Sequence, residues 1–313
     1  MLELKLLKES RFFNFLEAIL DLVDMANVDC SSTGLKLQAV DTEHVVVITL
    51  LFPAEEFEHY HCDDDYSMGI AIDDMVKAIR DVDKDDRITM KIGDENINTI
   101  TLIFESPEDN DTTAFDLRLV DASSHRFLIP DWKVLDSEYQ AFVEMPSAKF
   151  MRVCKYLTNT GGGDGRISVT DKGLKFFASG ETGHMIKYIQ SATATLRAPV
   201  SMTLNLKYMN SLAKASTLFK QVKICLSTTY PLMVECTVGK MGYVRCFLSP
   251  KVKPEIEEED IRNGKRKRSN DNDEGKEKEV IKEGSKESED AGIKNIGREI
   301  EEVKGRIYKA SKD

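Results

Sequence analysis

Leu2-Glu3-Leu4-Lys5-Leu6 alternates apolar and charged residues, the period of a strand with one buried face. Ser10 follows where a helix N-cap is expected, and Phe12, Phe15, Leu16, Ile19, Leu22 and Val23 recur on one helical face. Strand patterns come next near 35–40, 44–52 and 66–72, and a helix over 73–82 aligns Met75, Val76 and Ile79. Strands near 87–92, 97–104 and 113–120 complete a first unit, with Asp94-Glu95-Asn96 as a turn. A second unit repeats the order. It has a strand at 139–145, a helix at 147–157 and strands at 166–170, 173–178, 184–190 and 199–204. A helix at 206–215 and strands at 221–227, 232–238 and 243–249 close it.

The repetition extends to the residues themselves. Gly34-Leu35-Lys36-Leu37-Gln38-Ala39 returns as Gly173-Leu174-Lys175-Phe176-Phe177-Ala178, each copy preceded by a helix opening on a serine, Ser10 or Ser147. Met75 and Met209 hold matching places in the second helix of each unit. The pattern predicts an α+β protein of two tandem, similar domains, a form of pseudo-symmetry from which rings and arrays are built. The expected boundaries are 1–120 and 138–250, joined by a connector at 121–137 that has no clear period and contains Ile129-Pro130.

Charge changes the picture beyond Pro250. From Lys251 onward 35 of 63 residues are Asp, Glu, Lys or Arg, too few apolar groups to offset the entropy of ordering, so a disordered tail is expected over 251–313. Within it Ile293, Ile296, Ile300, Val303 and Ile307 form a stripe suited to a partner-induced helix. Lys265-Arg266-Lys267-Arg268 fits a nuclear import signal. The tail is nearly neutral, so the body carries a net charge of −10 out of the whole chain's −11. Such a body is repelled by nucleic acid as a whole, and any DNA contact needs a local basic surface. No apolar run reaches the roughly 20 residues of a membrane span, and the immediate strand pattern leads us to expect no signal peptide. Six scattered cysteines without Cys-x-x-Cys spacing read as reduced thiols of an intracellular protein.

Enzymatic motifs are weak. Gly161-Gly162-Gly163-Asp164-Gly165 lacks the Gly-Lys-Ser/Thr ending of a phosphate loop and follows a helix, so a tight helix-to-strand turn is expected. Asp63-Asp64-Asp65, beside His59 and His61, offers carboxylates for a divalent metal, against the plainer reading of a solvated acidic loop. No nucleophile and base can be assembled from local spacing, and neither catalysis nor a cofactor is expected. The helices are more telling. Lys77 and Arg80 lie on the second, Lys149, Arg152 and Lys155 on the third, Lys207 and Lys214 on the fourth, at spacings that place them on shared faces opposite the apolar stripes. Bases gathered on helices in an acidic body suit one surface that meets phosphate.

These features, with an ordered set of local matches, resemble the eukaryotic sliding clamps of the proliferating cell nuclear antigen family over about 1–251. The matches include Ser31-Ser32-Thr33-Gly34-Leu35-Lys36-Leu37-Gln38, Asp41-Thr42-Glu43-His44-Val45, Tyr60-His61-Cys62-Asp63, Ser67-Met68-Gly69, Ile129-Pro130, Met145-Pro146-Ser147, Gly173 to Glu181 and Leu248-Ser249-Pro250-Lys251. The resemblance implies a homotrimeric ring whose helices line a channel for double-stranded DNA. Arg11, Lys77, Arg80, Lys149, Arg152, Lys155, Lys207 and Lys214 would face phosphate. Phe13 and Asn14 stand where the family commonly has a pair of lysines, and Leu20 where it has another base, leaving Arg11 as the first helix's base.

The same resemblance implies a pocket for partner peptides bearing an aromatic pair, formed by Val40, His44, Val45, Phe127, Ile129, Pro130, Pro231, Phe247 and Ser249. DNA polymerase, a clamp loader and other peptide-motif proteins would be its users, in the nucleus and without a membrane. Subunit contacts are implied between Phe115, Leu117 and Leu119 on one edge strand and Met185, Lys187 and Ile189 on another. A modification candidate falls at Lys172, although the order here is Asp171-Lys172-Gly173 with the lysine displaced by one. The alternatives are a subunit of a heterotrimeric checkpoint clamp, a metal-dependent nuclease using Asp63 to Asp65, and a monomeric processivity factor held by direct binding.

Overall fold

The computed structural model describes residues 1–83, 85–92, 98–107, 111–123, 126, 136–190 and 192–251. The expected turn at Asp94 to Asn96, most of the connector and all but the first residue of the tail lie outside the described residues.

The first half runs β1 (Leu2–Leu7), α1 (Arg11–Ile19), β2 (Met25–Ser31), β3 (Gly34–Val40), β4 (Val46–Pro53), β5 (His59–Cys62), β6 (Tyr66–Ala71), α2 (Ile72–Arg80), β7 (Arg87–Ile92), β8 (Thr99–Glu105) and β9 (Thr112–Arg118). The second runs β10 (Ala141–Pro146), α3 (Ser147–Thr158), β11 (Asp164–Thr170), β12 (Gly173–Gly180), β13 (Gly183–Ile189), β14 (Thr193–Leu196), β15 (Val200–Asn205), α4 (Leu206–Ser216), β16 (Gln221–Leu226), β17 (Leu232–Val238) and β18 (Gly242–Leu248). Both halves therefore follow one order: strand, helix, five strands, helix, three strands. The α+β class and the tandem repeat are as the hydrophobic pattern predicts.

Pairing repeats as faithfully as order does. β5-β1-β7-β8-β9 in the first half matches β14-β10-β16-β17-β18 in the second, and β4-β3-β2-β6 matches β13-β12-β11-β15. The halves join where β18 pairs antiparallel with β4, from Tyr243↔Leu51 to Leu248↔Val46, which fuses two of these sheets into one of nine strands. β9 and β13 occupy the places of β18 and β4 in the opposite halves, and both are left as edges. On the helical side α1 packs against α2 and α4, and α3 packs against α4, giving a row α2–α1–α4–α3.

Ser10 caps α1 as expected, its hydroxyl accepting the Phe13 N–H at 3.4 Å. The helix stops at Ile19, before Leu22 and Val23. Those two stay buried in a turn whose N–H groups bond the Ile19 carbonyl at 2.8 and 3.1 Å. β4 starts at Val46 rather than at 44, because Asp41 closes a turn by accepting the Val46 N–H at 2.6 Å. Three strands escape the alternation rule. In β2 the polar Asn27 occupies a buried position, its amide donating to the Ala122 carbonyl at 2.6 Å, and that breaks the apolar rhythm. β5 and β14 are four-residue edge strands with largely exposed side chains, which leave no apolar period to read.

Cys30, Cys154, Cys225, Cys236 and Cys246 are buried, Cys62 is half-buried, and all six are free thiols. Burial pushes Cys30, Cys225 and Cys236 up to about 12, so they stay protonated and serve as small apolar side chains.

The apolar residues of both halves form one continuous core. Phe15 of α1 carries it across the junction, lining a small interior space with Leu212, Ala215, Ser216 and Phe219 of the second half and with Val234, Cys236, Val244 and Cys246 of its sheet. Phe15→Ala should therefore cost about 3–5 kcal/mol, the usual range for truncating a buried phenylalanine. Urea denaturation of the purified protein measures this, and a loss below about 1 kcal/mol would show that Phe15 does not hold the junction.

Candidate nucleic-acid interface

Each basic residue expected to meet DNA lies on one of the four helices, and most point to solvent. Arg11, Lys77, Arg80, Arg152, Lys155, Lys207 and Lys214 are exposed, and Lys149 is half-buried. Their electrostatic settings differ between halves. α1 carries one base and one acid, Arg11 and Glu17, and α2 sets Lys77 and Arg80 against Asp73 and Asp74. α3 has Lys149, Arg152 and Lys155, and α4 has Lys207 and Lys214, with no acidic residue in either.

Ion pairs involve bases of both halves. Lys77 pairs with Asp73 one turn earlier, and that carboxylate raises the lysine's pKa. Arg11 reaches Glu56 at 4.0 Å, and Lys214 approaches Asp21 across the α1–α4 contact at 3.9 Å. Phe13 is fully buried, and the Asn14 amide donates to the Glu9 carbonyl at 3.1 Å, so neither extends a basic face on α1. The exposed helix charge is thus concentrated on α3 and α4.

The sheet side holds the residues expected to receive partner peptides. Val40 of β3, Val47 of β4 and Phe247 of β18 lie in one row of the ladder. The Ser249 N–H bonds the Val45 carbonyl at 2.9 Å, which brings Val40, Val45, Phe247 and Ser249 to one end of the joined sheet. Pro231 precedes Leu232, the partner of Leu248, at that same end. Val40 and Phe247 are buried there, Val45, Pro231 and Ser249 are half-buried, and His44 is exposed. Phe127, Ile129 and Pro130 lie outside the described residues.

Several other bonded residues carry no sequence signal. Tyr208 of α4 donates its hydroxyl toward Asp41 Oδ2 at 3.0 Å and Glu43 Oε2 at 2.9 Å, from the other half of the chain. Burial and these carboxylates push its ionisation well above the ordinary tyrosine range. The bonds brace a turn in which His44 adopts φ 56°, a left-handed conformation that costs a non-glycine residue about 1–2 kcal/mol. Arg126 pairs with Asp29 at 2.6 Å and bonds the Ser67 hydroxyl. Arg197 pairs with Asp136 at 2.8 Å and stacks on Phe142 with its guanidinium 4.9 Å from the ring centre. Arg126 and Asp136 are the described residues on either side of 127–135.

The expected subunit strands are the edges β9 and β13. Phe115, Lys187, Ile186 and Tyr188 are exposed, Leu119 and Met185 are half-buried, and Leu117 and Ile189 turn inward. Lys172 is exposed in the β11–β12 turn, its N–H bonded to Thr170 Oγ1 at 3.2 Å. The glycine run forms the α3–β11 turn, where Gly162 lies so close to the Ser179 carbonyl that a Cβ would meet it at 2.2 Å. Asp63 is held by the Met1 amine at 3.2 Å and His61 at 2.8 Å, and the amine lowers its pKa first. Among the described residues no group of three or more His, Cys, Asp or Glu is placed to hold a metal ion, and no helix is long and apolar enough to cross a membrane.

Two family models match this chain. The proliferating cell nuclear antigen N-terminal domain covers residues 1–126, and the corresponding C-terminal domain covers residues 133–251. The chain is also similar to the proliferating cell nuclear antigen of Dictyostelium discoideum, 32% identical over 263 residues that span 80% of this chain and 100% of that protein. A duplicated fold, a helical row with its bases on one side and these matches across both halves lead to one conclusion: the chain belongs to the proliferating cell nuclear antigen family of DNA sliding clamps.

Proposed function

We propose that this chain is the subunit of a homotrimeric ring that encircles double-stranded DNA and tethers DNA polymerase, a clamp loader and repair proteins in the nucleus. One observation carries the reading. β18 and β4 join the halves within the chain, while their structural counterparts β9 and β13 each keep one edge open. Pairing β9 of one copy with β13 of the next repeats a junction the chain already makes. It is a head-to-tail interface, which closes into a ring when its rotation closes. It would also cover Phe115, Ile186 and Tyr188, which are 45%, 43% and 59% exposed in the single subunit.

On this reading the halves 1–120 and 138–250 are two clamp domains joined by the connector 121–137, and the trimer has six such domains. The four helices of each subunit face the channel. Lys155, Lys207 and Lys214, with Lys149 and Arg152, supply most of the phosphate attraction, and Arg11, Lys77 and Arg80 supply less. Attraction of this kind depends on counterion release and is sequence-independent, which suits a ring that must slide. The body's net charge of −10 limits nonspecific adhesion elsewhere. The function is topological and requires no cofactor. Val40, His44, Val45, Pro231, Phe247 and Ser249 serve with connector residues Phe127, Ile129 and Pro130 as the partner pocket, and Lys172 is the candidate modification site. Lys265 to Arg268 are the proposed import signal.

Light scattering of the purified chain at micromolar concentration should give three times its 35.3 kDa mass. A stable monomer would sink the homotrimer and favour a heterotrimeric checkpoint clamp.

Retention on nicked circular DNA tests the channel. Lys155→Ala/Lys207→Ala/Lys214→Ala should shorten retention and flatten its salt dependence more than Arg11→Ala/Lys77→Ala/Arg80→Ala. Unchanged retention in both sets would refute the channel assignment.

Tyr208→Phe removes the bonds to Asp41 and Glu43 and should weaken a fluorescein-labelled peptide bearing a Phe-Phe pair about fivefold, by the roughly 1 kcal/mol of a lost hydrogen bond. Undiminished affinity in a polarisation titration would show that the turn does not shape the pocket.

A further inference from the structure

Six free thiols have no part in a ring that works by topology, and two of them lie where they can react together. Along β5, His59 and His61 face solvent, while Tyr60 and Cys62 turn inward and are half-buried. The Tyr60 hydroxyl donates to the Ser31 carbonyl at 2.7 Å, which lays the inward face of β5 against the end of β2. Cys30 precedes Ser31 there and is only 1% exposed. It belongs to the core against which Tyr60 and Cys62 pack. The Tyr60 hydroxyl thus lies beside both thiols, and the ionisation of each responds to it. After burial, proximity to Cys62 is the next cause that raises the Cys30 pKa.

The two sulfurs differ in access. Cys62 reaches solvent, and its S–H donates to the Asp64 carbonyl at 3.0 Å. Each of the other five cysteines is buried. Cys236 of β17 and Cys246 of β18 also influence one another, but both are sealed in the core and neither offers a sulfur to a dissolved oxidant. The pair on β2 and β5 joins a thiol that an oxidant can reach to a second thiol behind it. A reactive cysteine poised beside a resolving one has this arrangement.

We propose that Cys62 and Cys30 form an oxidisable dithiol whose co-substrate is hydrogen peroxide. The Cys62 sulfur attacks one peroxide oxygen, the O–O bond breaks, and the Cys62 proton leaves with the departing hydroxide as water. Cys62 is then a sulfenic acid. The Cys30 sulfur attacks the Cys62 sulfur, the S–O bond breaks, and the Cys30 proton leaves with that oxygen as a second water. Two thiols are oxidised to one disulfide, the peroxide is reduced to two waters, and a thiol reductant such as glutathione reverses the change. The disulfide clasps β5, the end strand of the five-stranded sheet, to β2 of the nine-stranded sheet. Partial burial and then the Asp65 carboxylate raise the Cys62 pKa, and burial pushes Cys30 up to about 12, so little of either is thiolate at neutral pH. The pair therefore rests reduced and answers to sustained peroxide rather than to traces.

The purified full chain, exposed to hydrogen peroxide and then alkylated, can be mapped by mass spectrometry without reduction. Peptides containing Cys30 and Cys62 should appear joined within one chain, lighter by two hydrogens, and should separate again with dithiothreitol. Cys30→Ser should leave a Cys62 sulfenic acid that dimedone traps, and Cys62→Ser should leave Cys30 a free thiol. Phenylarsine oxide, which bridges adjacent thiols, should protect both cysteines of the unoxidised wild-type chain from alkylation, a result that needs no variant. Cys62 advancing to a sulfinic acid in the wild type, or pairing with any cysteine but Cys30 of its own chain, would overturn the proposal. So would two thiols that survive the peroxide unchanged, or an arsenical that protects neither.

Discussion

Antiparallel pairing of β18 with β4 is the interaction on which the rest of this structure depends. Strand edges carry unpaired N–H and C=O groups, and a sheet must cover them, blunt them or pair them. Pairing these two edges merges sheets from both halves, places α1 beside α4 and lets Phe15 enter the space between them. The second half's turn residues also come within reach of the first half. Tyr208 can then hold Asp41 and Glu43, and Ser249 can bond Val45. Remove this one pairing and the pocket end of the sheet, the helical row and the shared core lose their common frame.

A duplicated domain that joins to its copy in this manner has a geometric consequence. The joint uses one edge from each half and leaves the equivalent edge of each half free. β9 and β13 inherit the apolar residues that such a joint needs, but not a partner within the chain. The body's acidity makes the positions of its bases consequential. α3 and α4 have shed acidic residues entirely, whereas α1 and α2 balance or pair theirs. Similar folds in the two halves thus present unequal electrostatic faces, which follows from surface residues alone and leaves the buried pattern undisturbed.

The elements were legible wherever burial followed a simple period. β1, α1, α2 and most strands of both halves follow the two-residue or helical rhythm because one face of each meets the core. β2 was not legible, since Asn27 is buried by virtue of a bond to Ala122, 95 residues away. β5 and β14 were not, since an exposed edge strand needs no apolar face. At the candidate interface, bases at helical spacing were readable as charge, but their neutralisation by Asp73 or Glu56 depends on geometry. Tyr208, Arg126 and Arg197 had no signal at all, because each acts on residues distant in the chain or through carbonyl and hydroxyl groups that every sequence contains.

By itself the sequence determined the duplication, the α+β class, the basic character of the helices and the family resemblance. Those properties reside in local periodicity and in residue identity, which neighbours along the chain suffice to express. Tertiary structure alone decided which edges pair and which stay open, that the four helices stand in the order α2–α1–α4–α3, and that Tyr156 remains exposed while Phe15 is buried. The reason is physical. Pairing between β18 and β4 joins residues about 200 positions apart, and the free energy of such a contact depends on what else has folded around it, which no local pattern records.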